Sequence, residues 1–161
     1  MRTTRVAILE VENLHSYYGR IRALNGISLS IEPREIVALI GANGAGKTTA
    51  LKTISGLVRP QQGSIRLEGA DITRAAAHEI VRRGILQCPE GRRIFRIIRQ
   101  INREEGVSIL LVEQNARIAL ALAHRTHVIE RGEIKVSGTS KELSTDPEMQ
   151  QAYLGGGHRK R

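Results

Sequence analysis

The residues with the clearest chemistry in this chain form a glycine-rich loop that ends in lysine and threonine. Its eight positions match the phosphate-binding pattern G-x-x-x-x-G-K-[ST], and they are Gly41, Ala42, Asn43, Gly44, Ala45, Gly46, Lys47 and Thr48. Glycines let a backbone turn tightly around an anion, so that successive N–H groups and the start of the next helix point at phosphate oxygens. The pattern therefore predicts a nucleotide phosphate as the ligand.

The last two residues of the loop add side-chain contacts. Lys47 is expected to reach the β- and γ-phosphates, and the Thr48 hydroxyl stands where a Mg²⁺ that bridges those phosphates needs an oxygen ligand. The loop follows an apolar run, Glu35–Ile40, that is typical of a buried strand, and it precedes a helix that begins at Lys47. Because strand, loop and helix come in the required order, a glycine-rich turn with a surface lysine is the weaker interpretation.

Length and composition predict one globular domain. The 161 residues are 40% hydrophobic and 25% charged, which is ordinary for a fold with one core. We expect the domain at residues 1–154 and a basic tail at 155–161, where three glycines precede His-Arg-Lys-Arg. No apolar run reaches membrane-spanning length, and the apolar stretch after Arg5 is too short for a signal peptide. A cytosolic protein is therefore expected.

The net charge of +9 does not by itself favour nucleic-acid binding. The arginines are scattered along the chain, and one Phe and three Tyr offer few stacking platforms, so no specific nucleic acid is expected.

The single cysteine, Cys88, cannot form an internal disulfide. Its place at the end of an apolar run predicts a small core residue.

Hydrophobic periodicity places the loop within an alternation of strands and helices. Two strand-like segments, Val6–Leu14 and Ile27–Ile31, precede it, with a turn at Tyr17–Arg20 between them. The elements predicted after the loop are helix Lys47–Gly56, strand Ser64–Leu67, helix Ala75–Arg83, strand Gly84–Cys88, helix Arg93–Glu105, strand Val107–Val112, helix Asn115–His124, hairpin Thr126–Ser137 and a helical segment Lys141–Leu154 broken near Pro147. This order predicts an α/β fold: a P-loop NTPase-type parallel sheet with helices on both faces and an antiparallel β leader.

Three stretches of the chain resemble one protein family. They are Leu39–Thr49, the sequence QCPEGRRIF from Gln87 to Phe95, and the sequence LVEQNA from Leu111 to Ala116. With Tyr18-Gly19 ahead of them, they are similar to the nucleotide-binding subunit of ABC transporters, in particular the smaller ATP-binding protein of branched-chain amino acid importers. The resemblance covers nearly the whole chain. It implies ATP and Mg²⁺ as ligands, transmembrane permease subunits and a second ATP-binding subunit as partners, and a cytoplasmic place at the inner face of the plasma membrane.

The same resemblance implies roles for individual residues. Tyr18 would stack on adenine, and the residues from Gly41 to Thr49 would hold the phosphates. Gln87 would be the Q-loop glutamine that reports on Mg²⁺ and the attacking water, and Gln114 falls where many relatives carry the switch histidine. Glu113 ends an apolar strand, but no Asp precedes it, so we interpret it as a strand-end residue and not as the Walker B acid.

The part that the family carries between Gln87 and Gln114 is absent from this sequence. Only 27 positions separate the two glutamines, and they contain no helical subdomain, LSGGQ signature, Walker B strand ending in Asp-Glu, or D-loop. Ile94-Phe95 fits both sides of the join, as an in-frame deletion would leave it. Attack of water on the γ-phosphate needs a carboxylate-held Mg²⁺ and a base. A truncated ABC nucleotide-binding domain is therefore expected, which binds Mg-nucleotide weakly and hydrolyses it poorly or not at all.

Other function classes stay open at this point. A working transport ATPase is the enzyme interpretation, and a non-hydrolysing ATP-binding partner of a full-length paralogue or of the permease is the binding-module interpretation. A different P-loop enzyme, such as a small-molecule kinase, is disfavoured because kinases usually carry the loop after their first strand. Here it follows a β-rich leader.

The deletion also leads to an expectation about strand pairing. The chain from Gly84 to Val112 keeps a strand, a helix and a strand that together have the length of a βαβ unit. We therefore expect Ile85–Gln87 to pair in parallel with Ile109–Leu111, while the isoleucines of the helix pack on the sheet. The strand Val107–Val112 should also pair with Ile36–Ile40.

Overall fold

The computed structural model describes residues 6–88 and 94–155, and its strands form two four-stranded sheets. The antiparallel sheet consists of β1 (Leu9–Tyr18), β2 (Ile21–Ile31), β4 (Gln62–Leu67) and β5 (Ala70–Asp71). The second sheet consists of β3 (Ile36–Ile40), β6 (Ile109–Glu113), β7 (Arg125–Glu130) and β8 (Glu133–Thr139). The helices are α1 (Lys47–Ile54), α2 (Ala77–Arg82), α3 (Ile94–Glu105), α4 (Ala116–Leu122), α5 (Ser140–Thr145) and α6 (Pro147–Ala152).

Strand β3 is the centre of the second sheet, whose order is β6-β3-β7-β8. It runs parallel to β6 and β7, and β8 closes the sheet as an antiparallel hairpin partner of β7. All five residues of β3 are buried, because both faces of the strand are covered. Val37 and Leu39 pack toward the antiparallel sheet and α1, whereas Ile36, Ala38 and Ile40 pack toward α3 and α4.

The α/β architecture and most of the predicted elements are confirmed. The hairpin β7–β8, the break before Pro147, and the end of α3 at Gly106, whose φ is 68°, agree with the sequence patterns. Pairing of β6 with β3 is confirmed in the register Ile36 with Ile109 through Ile40 with Glu113. The turn in the leader is shorter than expected, because Tyr17 and Tyr18 still belong to β1.

The predicted pairing of Ile85–Gln87 with β6 is wrong. Residues 84–88 form no strand, and among residues 6–88 and 94–155 the only hydrogen-bonded neighbour of β6 is β3. Ile85 alone packs on the core, Leu86 is 74% exposed, and Cys88 is exposed instead of buried. Two apolar residues after a glycine with positive φ do not bury enough side chain to hold a strand in place.

The expectation for α3 is correct for only part of the helix. Ile98 is buried, whereas Ile97 and Ile101 are 49% and 37% exposed. No helix within the described ranges combines the length and the apolar character needed to cross a membrane. Residues 89–93, directly before the expected join at Ile94-Phe95, and residues 156–161 of the expected basic tail lie outside the described residues.

Candidate functional site

The glycine-rich loop leaves β3 at Gly41 and enters α1 at Lys47. A Cβ at Gly41 would lie 2.3 Å from the carbonyl oxygen of Ile129, so no side chain fits there. Gly46 is the N-cap of α1 with a φ of 113°, in the region that favours glycine. Both glycines are therefore required by the shape of the loop.

Two neighbouring elements support the loop from the side. The N–H of Gly132, in the β7–β8 turn, donates to the carbonyl oxygen of Ala45 at 2.8 Å, and the N–H of Asn25 donates to Gly132 at 2.8 Å. A Cβ at Gly46 would lie 3.1 Å from the carbonyl oxygen of Ala23 in β2. The sequence pattern indicated the turn around Gly132, but nothing in it indicated the contact with the loop, because the two segments are far apart in the chain.

Hydrogen-bond donors converge where the loop meets α1. Lys47 Nζ donates to the carbonyl oxygens of Gly41 and Ala42 at 2.6 and 2.7 Å, which holds the ammonium group at the loop. The first intrahelical bond of α1 is donated by Ala50 to Gly46 at 2.9 Å, so the preceding N–H groups have no carbonyl of their own helix to bind. These amides and the ammonium group together make a site for an anion.

The two threonines after Lys47 differ in exposure. Thr48 is exposed, whereas Thr49 is buried and its carbonyl oxygen accepts the hydroxyl of Thr53 at 2.8 Å. The Thr48 hydroxyl can therefore reach a ligand at the loop, and Thr49 can contribute only its backbone N–H. Mg²⁺ on nucleotide phosphates keeps several waters and needs few protein ligands, so this donor set fits a Mg-nucleotide.

Gln114 lies at the same edge of the sheet as the loop. Glu113 pairs with Ile40, so the next residues, Gln114 and Gly41, both leave the carboxyl ends of adjacent parallel strands. Residues 113–117 and 153–155 line an open groove at this edge. Glu113 Oε2 accepts the N–H of Asn115 at 3.0 Å, which agrees with its interpretation as a strand-end residue.

Gln87 is not brought to the loop. Its Oε1 accepts the hydroxyl of Ser55 at 3.3 Å, and Ser55 is the C-cap of α1. Eight residues separate Ser55 from Lys47, which is about 12 Å along a helix. Gln87 therefore lies at the far end of α1 from Thr48, and its contact with Mg²⁺ stays a prediction.

Tyr18 lies at the end of the leader hairpin, where it pairs with Ile21 and is 47% exposed. Ala23, two residues after Ile21, is the point at which β2 meets the loop at Gly46. Tyr18 is thus partly exposed at the end of the hairpin whose second strand meets the loop, and its contact with adenine stays a prediction.

Comparisons with known proteins agree on one family. A family model described as ABC transporter matches residues 24–161. The high-affinity branched-chain amino acid transport ATP-binding protein BraG of Pseudomonas aeruginosa is 30% identical over 234 residues, which cover 92% of this chain and 100% of BraG. The ADP conformation of MJ1267, an ATP-binding cassette of an ABC transporter, has a TM-score of 0.75 at 18% identity and covers 93% of this chain and 99% of that one. The dimeric structure of the cassette MJ0796 has a TM-score of 0.68 at 14% identity, over 82% and 98% of the two chains.

The lengths in these comparisons locate the missing segment. The alignment with BraG runs over 234 residues and spans BraG completely, although this chain has only 161 residues. BraG therefore has residues inside the aligned region that have no counterpart in this chain.

Proposed function

This chain belongs to the ABC transporter family, and from that membership we propose that it is an ATP-binding subunit that holds Mg-ATP but hydrolyses it poorly or not at all. The observation that carries the proposal is the convergence of the Lys47 ammonium group and the first amides of α1 on one loop. This arrangement binds phosphate without any contribution from the segment that the chain lacks.

Each residue of the loop has a proposed role in binding. Gly41 to Gly46 shape the backbone around the β- and γ-phosphates, Lys47 neutralises their charge, and the Thr48 hydroxyl takes one position on Mg²⁺. The N–H of Thr49 adds a donor in the first turn of α1. Tyr18 offers its face to the adenine ring.

Weak hydrolysis follows from the acids that remain. A Mg-ATPase positions its attacking water with a carboxylate, and the usual Asp-Glu pair occurs nowhere in this sequence. Glu113 ends the strand next to the loop strand, but it accepts the N–H of Asn115. Gln114 stands at the edge that faces the γ-phosphate, and an amide can orient a water but cannot accept its proton at neutral pH. Gln87 remains a proposed sensor that would have to leave Ser55 to reach the metal.

The likeness to BraG supports a role in branched-chain amino acid import. In that role the chain would sit on the cytoplasmic side of the membrane, bound to permease subunits and to a second ATP-binding subunit, and MJ0796 is an example of a dimeric cassette. Because this chain has no LSGGQ signature, it could complete no site on its partner. We therefore favour pairing with a full-length paralogue that carries its own signature, in which this chain serves as the non-hydrolysing member.

A titration with a fluorescent ATP analogue and Mg²⁺ tests the binding proposal. Lys47→Ala should weaken affinity by about 30-fold or more, because it removes the charge-assisted contacts to phosphate, each of which is typically about 1.5 to 3 kcal/mol. Lys52→Ala is the matched control, since Lys52 is an exposed lysine in the last turn of the same helix. Equal affinity of the native chain and Lys47→Ala would contradict the proposal.

A further inference from the structure

Strand β6 has a backbone edge that no other strand covers among residues 6–88 and 94–155. The N–H of Ile109 donates to Glu35 at 2.8 Å, on the side of β3. Because successive residues of a strand bond to opposite sides, the N–H and C=O groups of Leu110 and Val112 point away from β3. The strand contains no proline and no charge before Glu113, so it lacks the usual features that prevent strand addition.

An apolar flank of α3 lies over the same edge. Arg99 donates to the carbonyl oxygen of Ala121, so this side of α3 faces α4. Ile97 and Ile101 lie one helical turn apart on the opposite flank and are 49% and 37% exposed. Val107, between α3 and β6, is 45% exposed. The exposed isoleucines and the open backbone therefore form one continuous surface, which we call the β6–α3 edge.

We propose that the β6–α3 edge is an interface for a second copy of this chain. Two β6 strands pair antiparallel about a two-fold axis at Leu111, so that the two β6-β3-β7-β8 sheets become one. Leu110 then lies opposite Val112 of the other copy, and both outward residues of each strand exchange hydrogen bonds. The two α3 helices lie antiparallel above the strands, with their Ile97 and Ile101 side chains in contact.

Charge and symmetry favour a second copy over another occupant. The first half of α3 carries Arg96, and its last turn carries Arg103, Glu104 and Glu105. An antiparallel pair therefore brings Arg96 of each copy toward the acidic end of the other helix and opposes the helix dipoles, whereas Arg99 faces α4 and takes no part. Every copy lacks the same internal segment, so every copy presents the same edge, and a two-fold arrangement covers both edges and then closes. The loop at Lys47 takes no part in this contact.

The solution mass of the full chain, without nucleotide and over a range of concentrations, tests the proposal. Light scattering after size exclusion should give twice the chain mass of 17.8 kDa. A reducing agent is needed throughout, because a disulfide through the exposed Cys88 would also give a dimer. A monomer at every concentration would overturn the proposal, and so would a continuous series of larger species, because only the two-fold arrangement closes.

A pair of variants at Leu110 tests whether backbone pairing holds the dimer. Leu110→Pro removes the outward N–H without removing a bond to β3, whereas Leu110→Ala removes most of the same side chain and keeps the N–H. We expect the proline variant to raise the dimer dissociation constant at least 10-fold relative to the alanine variant. Equal constants for two folded variants would overturn the proposal.

A second pair of variants tests the helix contact and keeps the test valid where the proline variant does not fold. Ile101→Glu should give a monomer with the native circular dichroism spectrum, because Ile101 is partly exposed in the single chain. Ile21→Glu, at an equally apolar site that is 73% exposed in the leader hairpin, should stay dimeric. A dimer that survives Ile101→Glu, or one that Ile21→Glu disrupts equally, would overturn the proposal.

Discussion

The sheet differs on the two sides of β3: it continues through β7 and β8 on one side, and it ends at β6 on the other. On the β7 side, Arg125 binds Glu35 with two hydrogen bonds of 2.5 and 2.8 Å, the N–H of His124 donates to Ile36 at 2.8 Å, and Gly132 supports the loop. On the β6 side, the sheet ends and apolar side chains of α3 remain exposed. The glycine-rich loop is thus supported from the β7 side, by Gly132 and Ile129, and not from the open β6 side. The proposed phosphate site therefore does not need a further strand beside β6.

Electrostatics reinforces the β7 side. Burial opposes the charged form of Glu35, but hydrogen bonds from Arg125 and from the N–H of Glu32 outweigh it and lower the pKa of Glu35 below its ordinary 4.5. The same ion pair raises the pKa of Arg125. The anchors on the β6 side are uncharged: Asn102 Nδ2 donates to the carbonyl oxygens of Arg34 and Val107 at 2.8 and 2.9 Å, and the Ser108 hydroxyl accepts the N–H of Arg34 at 2.8 Å.

The largest expected effect comes from crowding the loop on the β7 side. Gly41→Ala should abolish nucleotide binding and destabilise the chain by about 3 kcal/mol, because its Cβ would lie 2.3 Å from the backbone oxygen of Ile129. Gly44→Ala is the control, since a Cβ there meets nothing within 4 Å and the cost of its φ of 81° is about 1 to 2 kcal/mol. Urea unfolding and nucleotide titration measure both effects. Equal losses would mean that Ile129 does not confine the loop.

A smaller effect is expected from the anchor on the β6 side. Asn102→Ala should lower the free energy of unfolding by about 2 kcal/mol, because it leaves two carbonyl oxygens without their donor. Gln100→Ala, in the same helix, loses only an exposed bond to Glu104 and should change stability by less than about 0.5 kcal/mol. Chemical denaturation of the two variants decides the matter. If both were neutral, α3 would not be docked through Asn102.

Acidification should weaken the β7 side through His127. Burial lowers the pKa of His127 below its ordinary 6.5, the nearby positive charge of Arg125 lowers it further, and its Nδ1 shares a hydrogen bond of 2.7 Å with the Ser137 hydroxyl. The unfolded chain therefore takes up a proton first, so the stability contribution is complete above pH 6.5 and is lost as pH falls through the folded pKa, by at most about 1.4 kcal/mol per pH unit.

His127→Gln should flatten this dependence in urea unfolding between pH 7.5 and 5.5. Glu35 does not interfere, because its lowered pKa makes its own loss begin only below about 4.5. An unchanged slope in the variant would show that another group controls the acid sensitivity.

The smallest expected effect is at Glu113. Glu113→Gln should leave the background release of phosphate unchanged, since this carboxylate binds the N–H of Asn115 and is not a general base. A coupled assay for phosphate with and without Mg²⁺ measures it. Release that depends on Mg²⁺ and disappears in the variant would make Glu113 a substitute acid.

Local patterns predicted the β7 side better than the β6 side. The loop, its strand and α1 are contiguous in the chain, so glycine spacing and apolar periodicity were sufficient to place Gly41 to Thr48. The contacts that support them, from Ala23, Ile129 and Gly132, could not be predicted because they join segments distant in sequence.

The error at Gly84–Cys88 has a different cause. An apolar run becomes a strand only when a partner strand lies beside it. The expected partner here was β6, but among the described residues β6 pairs only with β3. Ile85 packs on the core, but Leu86 and Cys88 are exposed, and no strand that the structure describes lies beside them. Periodicity describes one segment and does not specify which segments meet.

The central claim, that binding survives without turnover, is tested most directly by the chemical identity of the nucleotide that stays bound. The native chain is equilibrated with Mg-ATP for an hour in a dialysis cell, and the nucleotide held in excess on the protein side is identified by ion-exchange chromatography. We predict an excess of ATP with the native chain and none with Lys47→Ala. An excess of ADP with the native chain, or no excess at all, would contradict the account.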